Sequence, residues 1–264
     1  MIGPFSVVSI LSSVSLALLV ALCSASTALG APLILNEYNA VGSSKFLDGP
    51  SGTASDVTLG RIVGNGGDWF ELVVIEDRLD IRGWSLGLAD SDGGSDTLVF
   101  SDSAMWSELR SGTLITIAED QLTDVSYDPA GGDWWINVQA TDGGASTYIT
   151  PENFFVNNDD WQLTILDADA GVVFGPTGEG IAPNAGVNSK EGFKLEADPS
   201  AVISELSPFY EDGVSSSFGA PNLWGDGANS QDFSALRAVV PEPSAGLLLA
   251  LAVLIRRGRL RRLR

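Results

Sequence analysis

The chain has no histidine, and its single cysteine, Cys23, sits in an apolar N-terminal run. Without imidazole there is no Ser-His-Asp or Cys-His nucleophile, no His-ligated zinc and no histidine general base. Beyond residue 30 there is no thiol at all, which removes disulfides and thiolate chemistry from that part of the chain. Carboxylate pairs and oxygen-ligated metals are the enzymatic routes that remain. Positive charge is scarce too. All 34 acidic residues fall between Ala31 and Glu242, against eight Lys and Arg in that span, a net charge of about −26. Six arginines after Ile255 bring the whole chain to −20. A surface this acidic repels phosphate backbones, so no nucleic-acid partner is expected. It also repels acidic polysaccharide unless divalent cations bridge the two. The plainer reading of the charge is solubility in an external medium.

The two ends carry address-like sequence. Val7–Leu22 is apolar apart from scattered serines, and small residues follow from Ser24 to Ala31. This resembles a secretory signal peptide, although no Lys or Arg precedes the apolar run. Cleavage after Ala28 or Gly30 fits a small-x-small rule, and the second leaves Ala31 first. Leu22 before Cys23 is a poor fit to a lipoprotein site. At the other end, Pro241 and Pro243 hold Glu242 in extended backbone. The apolar run Ala245–Ile255 follows, and a helix of that length would be about 16 Å long, roughly half a hydrocarbon core. Arginines clustered after it mark a cytoplasmic side. The physical expectation is a short helix associating transiently with a membrane through 245–255, with the rest of the chain outside.

Between the ends, Val, Ile, Leu and Trp come in runs of five to nine separated by Gly, Asp, Asn, Ser and Pro. That punctuation predicts an all-β protein, most simply a β-sandwich. Strands are expected over Leu33–Ala40, Trp69–Ile75, Ile81–Leu88, Thr97–Phe100, Thr113–Ala118, Trp134–Gln139, Trp161–Leu166, Val172–Phe174, Gly192–Glu196 and Val202–Leu206. Ser103–Arg110 reads as a short helix. Two hairpins are legible, one turning at 90–96 and one at 167–171. The segments 42–67 and 175–189 are long and rich in Gly, Ser or Pro, and loops of that length are functional or disordered. The two G-G-D-W copies, at 66–69 and 131–134, do not share an offset with the other near-repeat, so no tandem repeat is expected. The expected division is signal peptide 1–30, β-sandwich 31–225, linker 226–239 and C-terminal signal 240–264.

Two family resemblances attach to these residues. Asn36-Glu37, Asp68-Trp69-Phe70-Glu71-Leu72, Leu79-Asp80-Ile81-Arg82-Gly83-Trp84 and Ser216-Ser-Phe-Gly-Ala-Pro-Asn222 resemble the spaced motifs of the bacterial lamin-tail domain (LTD). Leu114–Ala118 and Asp160–Val173 resemble its middle strand and later hairpin. The likeness covers about residues 31–224, with long inserts at 42–67 and 119–158. It implies an immunoglobulin-like β-sandwich used as a binding or tethering module. The C-terminal V-P-E-P-S, apolar run and Arg cluster resemble the PEP-CTERM sorting signal, with Pro241, Glu242 and Pro243 at the processing motif. That likeness implies signal peptidase and a membrane-embedded exosortase as partners during export to the cell surface or extracellular matrix. Exopolysaccharide or other surface proteins are the implied later partners.

The candidate sites each have a plain structural alternative. Asp90, Asp92 and Asp96 lie on a glycine-rich loop, an oxygen-ligand set suited to Ca²⁺ but without EF-hand spacing. Equally, they read as a hairpin turn in which Asp bonds its own backbone. Asp167 and Asp169 are a weaker version, and Asn157–Asp160 would add oxygens if the fold brought them near. Glu37 and Glu71 sit on strands expected to be neighbours, where a glycan hydrolase would keep its two carboxylates. Trp134, Trp135 and Trp224 are the tryptophans expected to stack on a sugar; Trp69, Trp84 and Trp161 read as core. The expectation is a non-enzymatic structural or adhesive module with no cofactor unless Ca²⁺ binds. The rivals are a secreted carboxylate-dependent hydrolase and an accessory module of a separate enzyme.

Overall fold

The computed structural model describes residues 30–140, 147–150, 154–181, 183 and 186–238. Residues 1–29 of the expected signal peptide and the stretch 240–264, including Pro241, Glu242 and Pro243, lie outside the described residues. In chain order the strands are β1 Leu33–Asn39, β2 Trp69–Val74, β3 Ser85–Ala89, β4 Ser95–Phe100, β5 Leu114–Ala118, β6 Trp135–Gln139 and β7 Ile149–Thr150. They continue with β8 Gln162–Leu166, β9 Val172–Gly178, β10 Gly192–Leu195, β11 Tyr210–Gly213, β12 Leu223–Trp224 and β13 Asn229–Ser230. A six-stranded sheet runs in the order β11-β10-β1-β2-β5-β6, and a five-stranded sheet in the order β7-β4-β3-β8-β9. All pairings are antiparallel except β5 with β6, which is parallel. The protein is therefore an all-β sandwich, as the punctuation of the sequence led us to expect.

The main core lies between the sheets and is held by a chain of rings. Tyr38 on β1 meets Trp161 at 4.5 Å and Phe193 on β10 at 5.1 Å. Phe193 stacks on Tyr210 at 5.5 Å, while Phe70 on β2 reaches Trp161 at 5.7 Å and Phe154 at 5.5 Å. All six side chains are buried. Their polar tips find partners: the Tyr210 hydroxyl donates to the Leu35 carbonyl at 2.6 Å, and Trp161 Nε1 donates to the Phe155 carbonyl at 2.8 Å. Rings of this size dominate burial energetics, each fully buried aromatic removing roughly 150–250 Å² from water.

Four expectations about segments are corrected. Val202–Leu206 is not a strand; turns closed by Ile203 N–H on Ser200 and by Ser207 N–H on Ser204 occupy it, and the strand is Tyr210–Gly213. Pro199 and Pro208 bracket the stretch, and of the run only Ile203 is buried, so no alternating face develops. Ser103–Arg110 makes only a 3-10 turn at Ala104–Trp106, because Leu109 must extend to bridge Leu79. Segment 42–67 is built, not loose. The Arg61 guanidinium donates to the carbonyls of Leu47, Gly49 and Ala54 at 2.7–2.9 Å and lies over the Phe46 ring. Residues 226–238, expected as linker, pack onto the sandwich through buried Gln231 and Phe233, and a four-residue α-helix, α1, spans Ser234–Arg237. Among the described residues no helix is long and apolar enough to cross a membrane.

Candidate functional site

The outer face of the six-stranded sheet carries polar side chains in one row. The register places Lys194 opposite Glu37, Glu37 opposite Glu71, Glu71 opposite Thr116 and Thr116 opposite Asn137, across five strands. On β2 the alternation is direct: Phe70 and Leu72 enter the core, while Trp69 and Glu71 point the other way. A face with that composition would ordinarily meet water. Here each of the five is buried to 1% exposure or less. The 42–67 loop and residues 214–222 cover the carboxylates, and at the far end of the row Asn137 donates to the carbonyls of Gln121 and Leu122.

The cover is fastened by carboxylates. Consecutive backbone N–H groups of Ser217, Phe218 and Gly219 donate to Glu37, Asp56 and Glu71 respectively, at 3.2, 2.8 and 2.9 Å. Asp56 also accepts from the Ser216 hydroxyl and from the amides of Thr58 and Leu59, each at 2.7 Å. Asn36 donates to Glu71 at 2.7 Å and to Asn222 at 3.2 Å, and Asn222 donates back to the carbonyls of Asn36 and Leu195. Gln231 closes the network on Asn36 and Leu195. Beside it a small second core forms from Trp69, Ala118 and Phe218, with Leu59 and Trp135 against it. Gly219 has φ +69°, and a Cβ there would lie 2.4 Å from the Trp135 ring. Glycine is required at this contact for both reasons.

Burial sets the acidity of this layer. It pushes the Glu37 carboxyl up to about 8, reinforced by the Asp56 carboxylate and opposed by Lys194. Burial raises Glu71 well above the usual carboxylate range, with the Asn36 hydrogen bond opposing it. Lys194 is paired with Glu196 at 3.3 Å.

The sequence-expected sites fare differently. Glu37 and Glu71 are neighbours, as expected, but enclosed. Trp134 and Trp135 border a cleft of about 240 Å³ with Gly219, Pro221 and Arg237. Both are half-buried: the Arg237 guanidinium sits 4.9 Å from the Trp134 ring, and Trp135 donates to the Thr116 hydroxyl at 2.9 Å. Trp135 also borders a second cleft of about 420 Å³ with Leu59, Leu122, Asn137 and Phe218. Trp224, on β12, is half-buried and lies apart from both. A third cleft of about 590 Å³ opens over Lys194 and Glu196, walled by Ala54, Val57 and Val214.

In the 90–96 turn, Asp90 Oδ1 accepts from the Gly94 amide at 2.7 Å, the backbone-bonding role. Its other oxygen accepts from Asn157 at 2.8 Å, so the 157–160 segment does approach this loop. Among the described residues no three carboxylates converge in a way that would hold a metal ion. Asp56, Lys194, Gln231 and Arg237 were not singled out from the sequence. Asp56 lies in a Gly/Ser-rich loop with no periodicity to expose it, whereas Lys194, a charge inside an apolar strand run, was a readable signal. No protein-family model matches the chain, and no curated protein matches it.

Proposed function

We propose that this chain is an exported, non-catalytic module, an immunoglobulin-like sandwich of the lamin-tail type, delivered to the cell surface or surrounding matrix by a PEP-CTERM signal. One observation carries the reading. The motif pieces Asn36-Glu37, Glu71 and Ser216–Asn222, far apart in the chain, meet as a single buried hydrogen-bonded clasp. That is the part such spaced motifs would play in a scaffold, and it occupies the two carboxylates a hydrolase would need free. Glu37 and Glu71 are fully buried, and their oxygens already accept from Asn36, Ser217 and Gly219. A glycosidase carboxylate must instead reach a glycosidic oxygen or a water beside the sugar. The contact surface is assigned to the clefts flanking Trp135, where an aromatic edge and polar groups adjoin.

Glycan arrays and exopolysaccharide pull-downs test the module against the enzyme. Binding that survives Glu37→Gln with Glu71→Gln, without released product, is expected. Turnover by the unaltered protein that these changes abolish would overturn it. Mass spectrometry of the mature protein tests the address: a C-terminus still at Arg264 in exosortase-bearing cells would sink the sorting half of the proposal.

A further inference from the structure

Away from the clasp, one buried polar atom has no partner. Glu179 follows β9 and is 4% exposed, yet its Oε2 makes no hydrogen bond. The backbone amides of Asp160 and Val187 act on its carboxylate and lower its pKa, and its own amide donates to the Tyr38 hydroxyl at 3.1 Å. Leaving a buried carboxylate oxygen unmet costs roughly 1–3 kcal/mol or more, so such an atom calls for an explanation.

The neighbourhood is negative. Asp160, with φ +55°, directs its carboxylate toward Gly180, the residue after Glu179; a Cβ on Gly180 would lie 2.7 Å from Asp160 Oδ1. Gly186 is held as closely, since a Cβ there would lie 2.7 Å from Glu179 Oε1. Asp160 and Asp159 both act on Glu179 electrostatically, and with burial they push its carboxyl up to about 7. The charges that act on Glu179 most strongly, those of Asp160 and Asp159, are both negative. The arrangement thus combines a desolvated, half-partnered carboxylate, an adjacent exposed one and two glycines whose lack of a Cβ lets those carboxylate oxygens come close. Excess negative charge of this kind is relieved by a proton or by a hard cation.

The geometry points to a divalent-cation site at the end of β9, with Glu179 Oε2 and the Asp160 carboxylate as protein ligands for Ca²⁺ or Mg²⁺. With two carboxylates the remaining positions fall to water. Sites of that low ligand count belong with weak extracellular ones, with a dissociation constant on the order of 10⁻⁴–10⁻³ M. It uses none of Asp90, Asp92 and Asp96, although the Ser91 amide donates to the Asp159 carbonyl and brings that loop alongside, and it does not depend on the sorting or adhesion proposal.

The probe is Tb³⁺ added to the chelator-treated full chain, with Trp161, next to Asp160, as the sensitising ring. Sensitised emission that Ca²⁺ displaces, with a rise in melting temperature on adding Ca²⁺, is expected. Asp160→Asn alters an exposed side chain and should weaken binding by about tenfold without unfolding the protein. Glu179→Gln should abolish the emission and, by offering an amide donor or a neutral oxygen in place of the charge, remove the Ca²⁺-dependent rise. Asp92→Asn should leave both unchanged. Absence of emission and of any thermal shift in the unaltered chain overturns the site. So does binding that persists in Asp160→Asn but is lost in Asp92→Asn, which would place the cation in the hairpin loop.

Discussion

The two faces of the six-stranded sheet are stabilised by different physics. The inner face meets the five-stranded sheet through rings and aliphatic side chains, a non-directional attraction proportional to the area removed from water. The outer face is as dry, but it is polar, and its cover is fixed by individual hydrogen bonds to Glu37, Asp56 and Glu71. An apolar contact tolerates a shifted neighbour. A buried carboxylate does not, because each donor left without an acceptor costs its full desolvation. The inner face accordingly fixes that the chain collapses, and the outer face fixes where residues 214–222 must lie.

That contrast is most severely tested on the inner side. Phe70→Ala removes a ring touching Trp161 and Phe154 and should destabilise by about 3–5 kcal/mol in urea unfolding, with loss of all structure together. Next in size, Asp56→Ala strands four donors on the outer side. With water entering to meet some of them, about 3 kcal/mol is expected. Its signature differs: amide exchange should accelerate first at residues 216–219, before the strands. Uniform loss of protection would mean the two layers are one cooperative unit. Gly219→Ala drives a methyl into the Trp135 ring at positive φ and should cost about 1–3 kcal/mol, visible as a changed Trp emission.

The smallest effect at acid pH, and the one that sharpens the comparison most, is Glu37→Gln. The folded state holds the Glu37 carboxyl at about 8, above its ordinary 4.5, so between those values it binds a proton that the unfolded chain has released. Stability from this group is therefore complete below about pH 4.5 and is lost as pH rises through about 8. Glu71 and Glu179, also raised, add to the same trend. Near pH 5 the variant should unfold almost as the parent does; near pH 8.5 it should be the more stable of the two. A parent whose urea midpoint is flat over that range would show that the outer carboxylates are not held in a dry layer.

Much of the sandwich was legible because strand alternation is local. Trp69-Phe70-Glu71-Leu72 announces two faces in four letters, and Gln162–Leu166 turning at 167–171 announces a hairpin. The same locality explains the errors. Val202–Leu206 has strand-like residues, yet two hydrogen-bonded turns between prolines outcompete pairing. The adjacency of Glu37 and Glu71 was readable, and their register confirms it. Their burial was not, because the cap on Glu71 arrives from Gly219, 148 residues later. Likewise the sequence offered Trp135 as a sugar-stacking ring but could not show Phe218 and Gly219 closing against it.

By itself the sequence determined the class of fold, the exclusion of imidazole and thiol chemistry, and the acidity of the surface. These follow from composition and nearest-neighbour pattern, which do not depend on where the chain goes next. Only the tertiary structure decided that Glu37, Asp56 and Glu71 are fasteners and that Glu179 is left with an unmet oxygen. Those roles depend on which distant amides reach a carboxylate, and no local periodicity encodes that.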